Sequence, residues 1–126
     1  MNQSAVNRDD TGDAAHAGID WYHAHVYFEL DDLDATEQVR QRLMAAMPGA
    51  GVVHKLFPRQ VGPHPLPMFE IDFPSRIFDS VLALLEQERG ARSVLIHPVT
   101  DDDLAAHTTG AQWLGSPLPL LLERLS

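Results

Sequence analysis

The chain has 126 residues, 44% of them hydrophobic and 21% charged, enough for one domain with a core and too few for two ordinary ones. Nine basic against eighteen acidic residues leave a formal charge of -9, which repels phosphate backbones and argues against a nucleic-acid partner. With no cysteine there is no disulfide, thiolate nucleophile or cysteine-held metal, so any metal must sit on nitrogen and oxygen, and no apolar run approaches the roughly 20 residues of a membrane span.

Residues 1–18, MNQSAVNRDDTGDAAHAG, show no periodicity and read as a disordered leader in which His16 is solvated. The stretch has neither the basic start nor the apolar core of a secretory signal, so a cytoplasmic protein is expected. Residues 19–126 then form a single domain. From Trp21 to Phe28, WYHAHVYF alternates aromatic and β-branched residues with others, which predicts a strand. Asp34 with Glu37 three residues on suggests a capped helix start, and Val39, Leu43 and Met47 recur at helical spacing before Pro48 and Gly49.

GVVHKLFP and MFEIDF predict the second and third strands, separated by RQVGPHPLP, whose prolines prevent either from running through it. Ser75 can cap a second helix in which Phe78, Val81, Leu82 and Leu85 line one face, ending at Gly90. SVLIHPV predicts a fourth strand. Thr100 with Asp103 suggests a third capped helix carrying Leu104, His107, Ala111 and Leu114 along one side, before Gly115 and a leucine-rich tail. The order βαββαβ is that of an α+β, ferredoxin-like sandwich. Two right-handed crossovers give an antiparallel sheet in the order 4-1-3-2, with an additional C-terminal helix and tail.

If both helices cover one sheet face, each strand turns its more apolar parity toward them. Ala24, Val26 and Phe28, then Phe69, Ile71 and Phe73, then Val94 and Ile96, are those residues. The opposite face receives His23, His25, Tyr27, Glu70, Asp72 and His97. Strands one and four run antiparallel, so His97 falls near His23 and His25. Imidazole nitrogen with a carboxylate suits first-row divalent metals, and two His and one acid on one side of iron(II) leave positions open for substrate and oxygen. His23, His25 and His97, with Glu70 as the acid, are the candidate metal ligands. Strand histidines can also be polar residues satisfied by hydrogen bonds, Asp72 reads as a solvated acid, and Tyr27 as packing, a dimer contact or an acid–base group. His54 shares the open parity but sits on an edge strand far from His97 and is left outside the site. His107 on the apolar side of the third helix can be a core residue or support the site. His64, between Pro63 and Pro65, is rigidly placed for a catalytic base, provided the loop folds back or a neighbouring subunit contributes.

YHAHVYF, GPHPLPMFEIDF and VLIHPVTDDDLAAHTTGAQWLG, in this order, resemble the DOPA 4,5-dioxygenase-like family of aromatic ring-cleaving dioxygenases, from Trp21 to about Leu122. The resemblance implies a ferredoxin-like fold, a homodimer, and extradiol cleavage of a catechol such as DOPA or caffeate by O2 at non-haem Fe(II). It places His23, His25, His64, His97 and His107 at the family's recurrent histidines without dividing ligands from acid–base groups. His64 and His107, with Tyr27, are the catalytic candidates. Asp101 and Ala106 depart from the family pattern, and Ala106 removes an acid beside His107 that would orient its ring. Two other classes fit the same residues: a ferredoxin-like dimer that holds a small aromatic or a metal without turnover, and a metal-independent dimeric α+β-barrel enzyme.

Overall fold

In the computed structural model, which describes residue 16 and residues 18–125, strand β1 is Trp21–Tyr27 and helix α1 Leu33–Ala46. Strands β2 (Val52–Val53) and β3 (Met68–Pro74) precede helix α2 (Phe78–Glu88), and β4 is Val94–Pro98. A short helix α3 (Asp103–Ala106) and strand β5 (Gln112–Leu114) complete the regular elements. The sheet runs β2-β3-β1-β4-β5 with every neighbouring pair antiparallel. Its first four members have the expected ferredoxin-like order, with β1 central.

The apolar parity faces the helices as the alternation requires. Tyr22, Ala24 and Val26 of β1, Phe69, Ile71 and Phe73 of β3, and Val94 and Ile96 of β4 pack with Val39, Leu43, Val81 and Leu85. Burying each large member stabilises the fold by roughly 1.5–3 kcal/mol. Because one parity of the sheet is committed to this core, slipping β1 by one residue would turn its histidines inward, so the register is strongly specified. A second, smaller cluster of Tyr27, Met68 and Leu95 lies on the other side of the sheet with Trp113, Leu118 and Leu120.

Helix starts differ from the expected caps. Asp32 precedes α1, accepting from the Thr36 hydroxyl at 3.2 Å and pairing with Arg92 at 2.9 Å, while Glu37 pairs with Arg40. Ser75 opens a 3-10 turn, Ser75–Ile77, rather than capping α2. Asp102, not Thr100, caps α3 by accepting from the Ala105 N–H at 3.0 Å.

The third helix is the main correction. It stops at Ala106 instead of running to Leu114, because Thr108 donates back to the Leu104 carbonyl at 2.6 Å and the Gly110 N–H bonds the Ala105 carbonyl at 2.8 Å. A Cβ at Gly110 would lie 3.2 Å from that carbonyl oxygen, so the close approach favours glycine. The chain then returns as β5 along β4 and covers an edge that would otherwise expose unpaired backbone groups. His16 is also corrected. Its Nδ1 lies 2.6 Å from the Tyr22 hydroxyl and its ring 4.4 Å from that of Phe78, so it packs on these aromatic side chains instead of standing in solvent. The remainder of the expected leader lies outside the described residues. Among the described residues, no helix is long and apolar enough to cross a membrane.

Candidate metal centre

β1 sends His23, His25 and Tyr27 to the face away from the helices, and its two neighbours complete the arrangement. In register, His97 of β4 stands opposite His23, while Glu70 and Asp72 of β3 stand opposite His25 and His23. Nε2 of His25 and Nε2 of His97 are 3.0 Å apart. His25 is 3% exposed and His97 6%, whereas His23 keeps 30% of its side chain open at the rim.

Two imidazoles arrive from outside the central strands. The loop before β3 turns at Val61–His64, with the His64 N–H on the Val61 carbonyl and Gly62 at φ 54°, and the tail ties to it through the Leu121 N–H on the Pro63 carbonyl. This folds the loop back within the same chain and sets the His64 ring 4.1 Å from that of His25. Nδ1 of His64 is 2.7 Å from the Tyr27 hydroxyl. His107, at the end of α3, lies 4.0 Å ring to ring from His97, and its Nδ1–H donates to the Asp103 carbonyl at 2.7 Å. That carbonyl supplies the orientation that an acid at position 106 would otherwise give. Five imidazoles thus gather around one point of the sheet, four of them buried.

The surroundings disfavour the charged form of four of these rings, His23, His25, His64 and His97. Burial pushes His97 down to about 3 and His64 to about 4, with the neighbouring imidazoles adding to the effect, and holds His25 well below its ordinary value. Burial also lowers His23, against the pull of Asp72. Tyr27 is raised by burial, so its hydroxyl keeps its proton. Burial and the adjacent Asp72 lift Glu70 to about 8. Burial works the other way on Asp72, but hydrogen bonding with Glu70 and His54 and the nearby His23 bring it below its usual value. Neutral imidazoles carry the lone pairs that metal ligation needs.

The donor set fits a first-row divalent ion. His97 donates its Nδ1–H to the Pro98 carbonyl at 3.0 Å, which leaves a lone pair on Nε2 facing Nε2 of His25. If one proton lies between those nitrogens, His25 Nδ1 is left as a buried lone pair without a hydrogen-bond partner, a cost of about 1–3 kcal/mol. A cation taking both lone pairs removes that conflict, and two nitrogens held side by side at about 2.1 Å from one ion lie about 3 Å apart. His23, His25 and His97 each offer a nitrogen within 4.8 Å of the others.

Glu70, the expected acid ligand, groups instead with His23 and Asp72. Its Oε2 is 3.7 Å from His23 Nε2, and its Oε1 is 3.9 Å from Nδ1 of His25, on the side of that ring away from His97. Asp72 is not the solvated acid that the sequence suggested. It is three-quarters buried, 2.8 Å from His54 Nε2 and 3.4 Å from His23 Nε2. His54 stays outside the imidazole cluster but closes this acidic end, a contact that the shared parity of His54 and Asp72 on neighbouring strands could have disclosed. Trp113, stacked on Tyr27 at 5.9 Å, was hidden by the expected helix. A cleft of about 290 Å3, lined by His16, Tyr22, Phe78, Ile96, Gly110 and Gln112, contains none of the five clustered imidazoles.

The fold and site define a ferredoxin-like domain with a cysteine-free, imidazole-rich centre on its open sheet face. Residues 22–124 match the model of the Dopa 4,5-dioxygenase family, and the chain belongs to that family. It is 36% identical over 112 residues to a DOPA 4,5-dioxygenase of Amanita muscaria, a match covering 82% of this chain and 49% of that protein. An uncharacterized 21.2 kDa protein of Botryotinia fuckeliana is 34% identical over 84 residues, 58% of this chain and 46% of that one. The chain therefore spans about half the length of the curated relatives it matches. A crystal structure from Nostoc punctiforme PCC 73102, described as "a putative dioxygenase", superposes with a TM-score of 0.77 at 34% identity, covering 83% of this chain and 90% of that chain.

Proposed function

We propose that the chain is an extradiol dioxygenase that opens a catechol ring with O2 at an iron(II) ion held by His23, His25 and His97. The observation that carries this reading is the pair of Nε2 atoms of His25 and His97, 3.0 Å apart in a buried, cysteine-free site. Iron(II) bound there would supply a Lewis acid and a meeting point for catechol and O2. The relative named a DOPA 4,5-dioxygenase supports a catechol as substrate. Both oxygen atoms enter the ring-opened semialdehyde acid, so catechol and O2 balance without a separate reductant.

The residues around the ligands supply binding and proton transfer. His23, the half-exposed member, marks the side from which substrate enters, since His25, His64, His97 and His107 are buried. When Nδ1–H of His64 donates to the Tyr27 oxygen, the Nε2 lone pair is free to take a catechol proton, and the imidazolium so formed stays anchored through Nδ1. Tyr27 can accept or donate at that contact, so it holds His64 in either protonation state. His107, locked by the Asp103 carbonyl, is the second proton-transfer group. The test is anaerobic loading with iron(II), followed by air and a panel of catechols including DOPA and caffeate. The reading requires about one iron per chain and oxygen uptake equal to catechol consumed, with a yellow product. A chain that retains no iron, or consumes no oxygen with any catechol when loaded, rules it out.

A further inference from the structure

Resting on that iron-site reading, we infer that Glu70 is a positioning residue, which accepts a hydrogen bond from Nδ1 of His25 when an ion occupies the facing nitrogens, and is not itself a ligand. Four imidazoles of the cluster are buried, and three have one ring nitrogen committed to a fixed partner. His97 uses the Pro98 carbonyl, His107 the Asp103 carbonyl and His64 the Tyr27 hydroxyl. Among the described residues His25 is the exception, its Nδ1 buried and without a hydrogen-bond partner.

An ion on Nε2 forces the single proton of neutral His25 onto Nδ1. There it needs an acceptor, and the carboxyl oxygen facing it is Glu70 Oε1 at 3.9 Å. Cα pairing of His25 with Glu70 across β1 and β3 places the two side chains next to each other on one face. Closing 3.9 Å to an ordinary hydrogen bond of about 2.8 Å asks for a movement of about 1 Å, within reach of a glutamate side-chain torsion. The contact would fix the ring's tilt and raise the basicity of its ligating nitrogen, the service that a carboxylate commonly gives a metal-bound histidine. The other oxygen of Glu70 lies 3.7 Å from His23 Nε2, so the side chain sits between two of the three proposed ligands.

Zinc(II) is a diamagnetic probe for the test. In the full chain, nitrogen-15 correlation spectra of the histidine side chains report which ring nitrogen carries the proton, and zinc affinity is measured for wild type, Glu70→Gln and Glu70→Leu. The expected result is a His25 proton on Nε2 in the metal-free protein and on Nδ1 in the zinc-loaded one. Zinc affinity should fall about 10–100-fold in Glu70→Leu, with most of it retained in Glu70→Gln, whose carbonyl oxygen still accepts. Zinc-loaded wild type with the proton still on Nε2 would overturn the inference alone, because the ion would then sit on the Glu70 side of the ring as a direct neighbour of that carboxylate. Affinity unchanged in Glu70→Leu would overturn it also. Failure of wild type to bind zinc at all would instead remove the metal-centre reading beneath it. The wild-type tautomer reading holds even if Glu70→Leu fails to fold.

Discussion

Removing the Tyr27 hydroxyl isolates one contact on which the geometry of the site depends. Tyr27 is 1% exposed and His64 6%, and their polar atoms meet at 2.7 Å. Tyr27→Phe keeps the ring against Met68, Leu95 and Trp113 but leaves a nitrogen of His64 unpartnered in the interior, at a cost of about 1–3 kcal/mol. His64→Ala strands the phenol hydroxyl in the same interior and forfeits the ring contact with His25, so its cost is at least as large. In the double variant neither polar atom is left facing a missing partner. The two single costs should therefore exceed the double cost by about 1–2 kcal/mol. Urea unfolding of all four proteins in chelator-treated, metal-free form measures this. With a slope of about 2 kcal/mol per molar, Tyr27→Phe should lower the midpoint by about 0.5–1.5 M. Additivity within about 0.5 kcal/mol would show that the hydroxyl does not hold the His64 loop in place, and the base assigned to His64 would lose its anchor.

Metal-free protein should lose stability as pH falls below about 6.5, because His25, His64 and His97 take up protons more readily unfolded than folded. Each contributes up to about 1.4 kcal/mol per pH unit on the way down toward its folded value. Glu70, raised to about 8, works in the opposite sense from a higher pH and offsets about half of the three together. Unfolding at pH 7.5 and pH 5.0 should differ by about 3 kcal/mol, and equal stability would contradict neutral buried imidazoles. His25→Ala and His97→Ala should each abolish iron retention, measured by metal analysis after anaerobic loading, and wild-type iron content in either variant removes that residue from the ligand set. His64→Ala should keep iron and turn over much more slowly; if it loses iron instead, His64 is a ligand. Gly115→Ala should destabilise by about 1–2 kcal/mol, seen as a lowered thermal midpoint, because φ is 75° there and the new Cβ would lie 2.6 Å from an Arg89 guanidinium nitrogen.

The features of this site that could be read from the residues are those governed by a period of two. His23, His25 and Tyr27 share a face because a strand repeats every second residue, and His97 joins them because two crossovers force β4 beside β1. The helical spacing of Leu104, His107, Ala111 and Leu114 misled for a local reason. Thr108, Thr109 and Gly110 interrupt it, and side-chain hydroxyls there return to carbonyls one turn back and compete with helix continuation. Trp113 and Leu114 then satisfy a strand as well as a helix, and the open edge of β4 decides for strand. The place of His64 depends on a turn and a bond to the tail, both non-local, and no spacing rule reports them. Proline on either side of it announced rigidity but not direction. Asp72 looked solvated because it lies on the sheet face away from the helices, whereas the chain after Val53 stays along β3 and brings His54 to it.

The most direct measurement is an anomalous difference map at the iron edge from crystals loaded anaerobically with iron(II). A single peak between Nε2 of His25 and Nε2 of His97, within bonding distance of His23, is the predicted result. A peak held by Glu70, Asp72 and His54, or no peak among the imidazoles, would contradict the account.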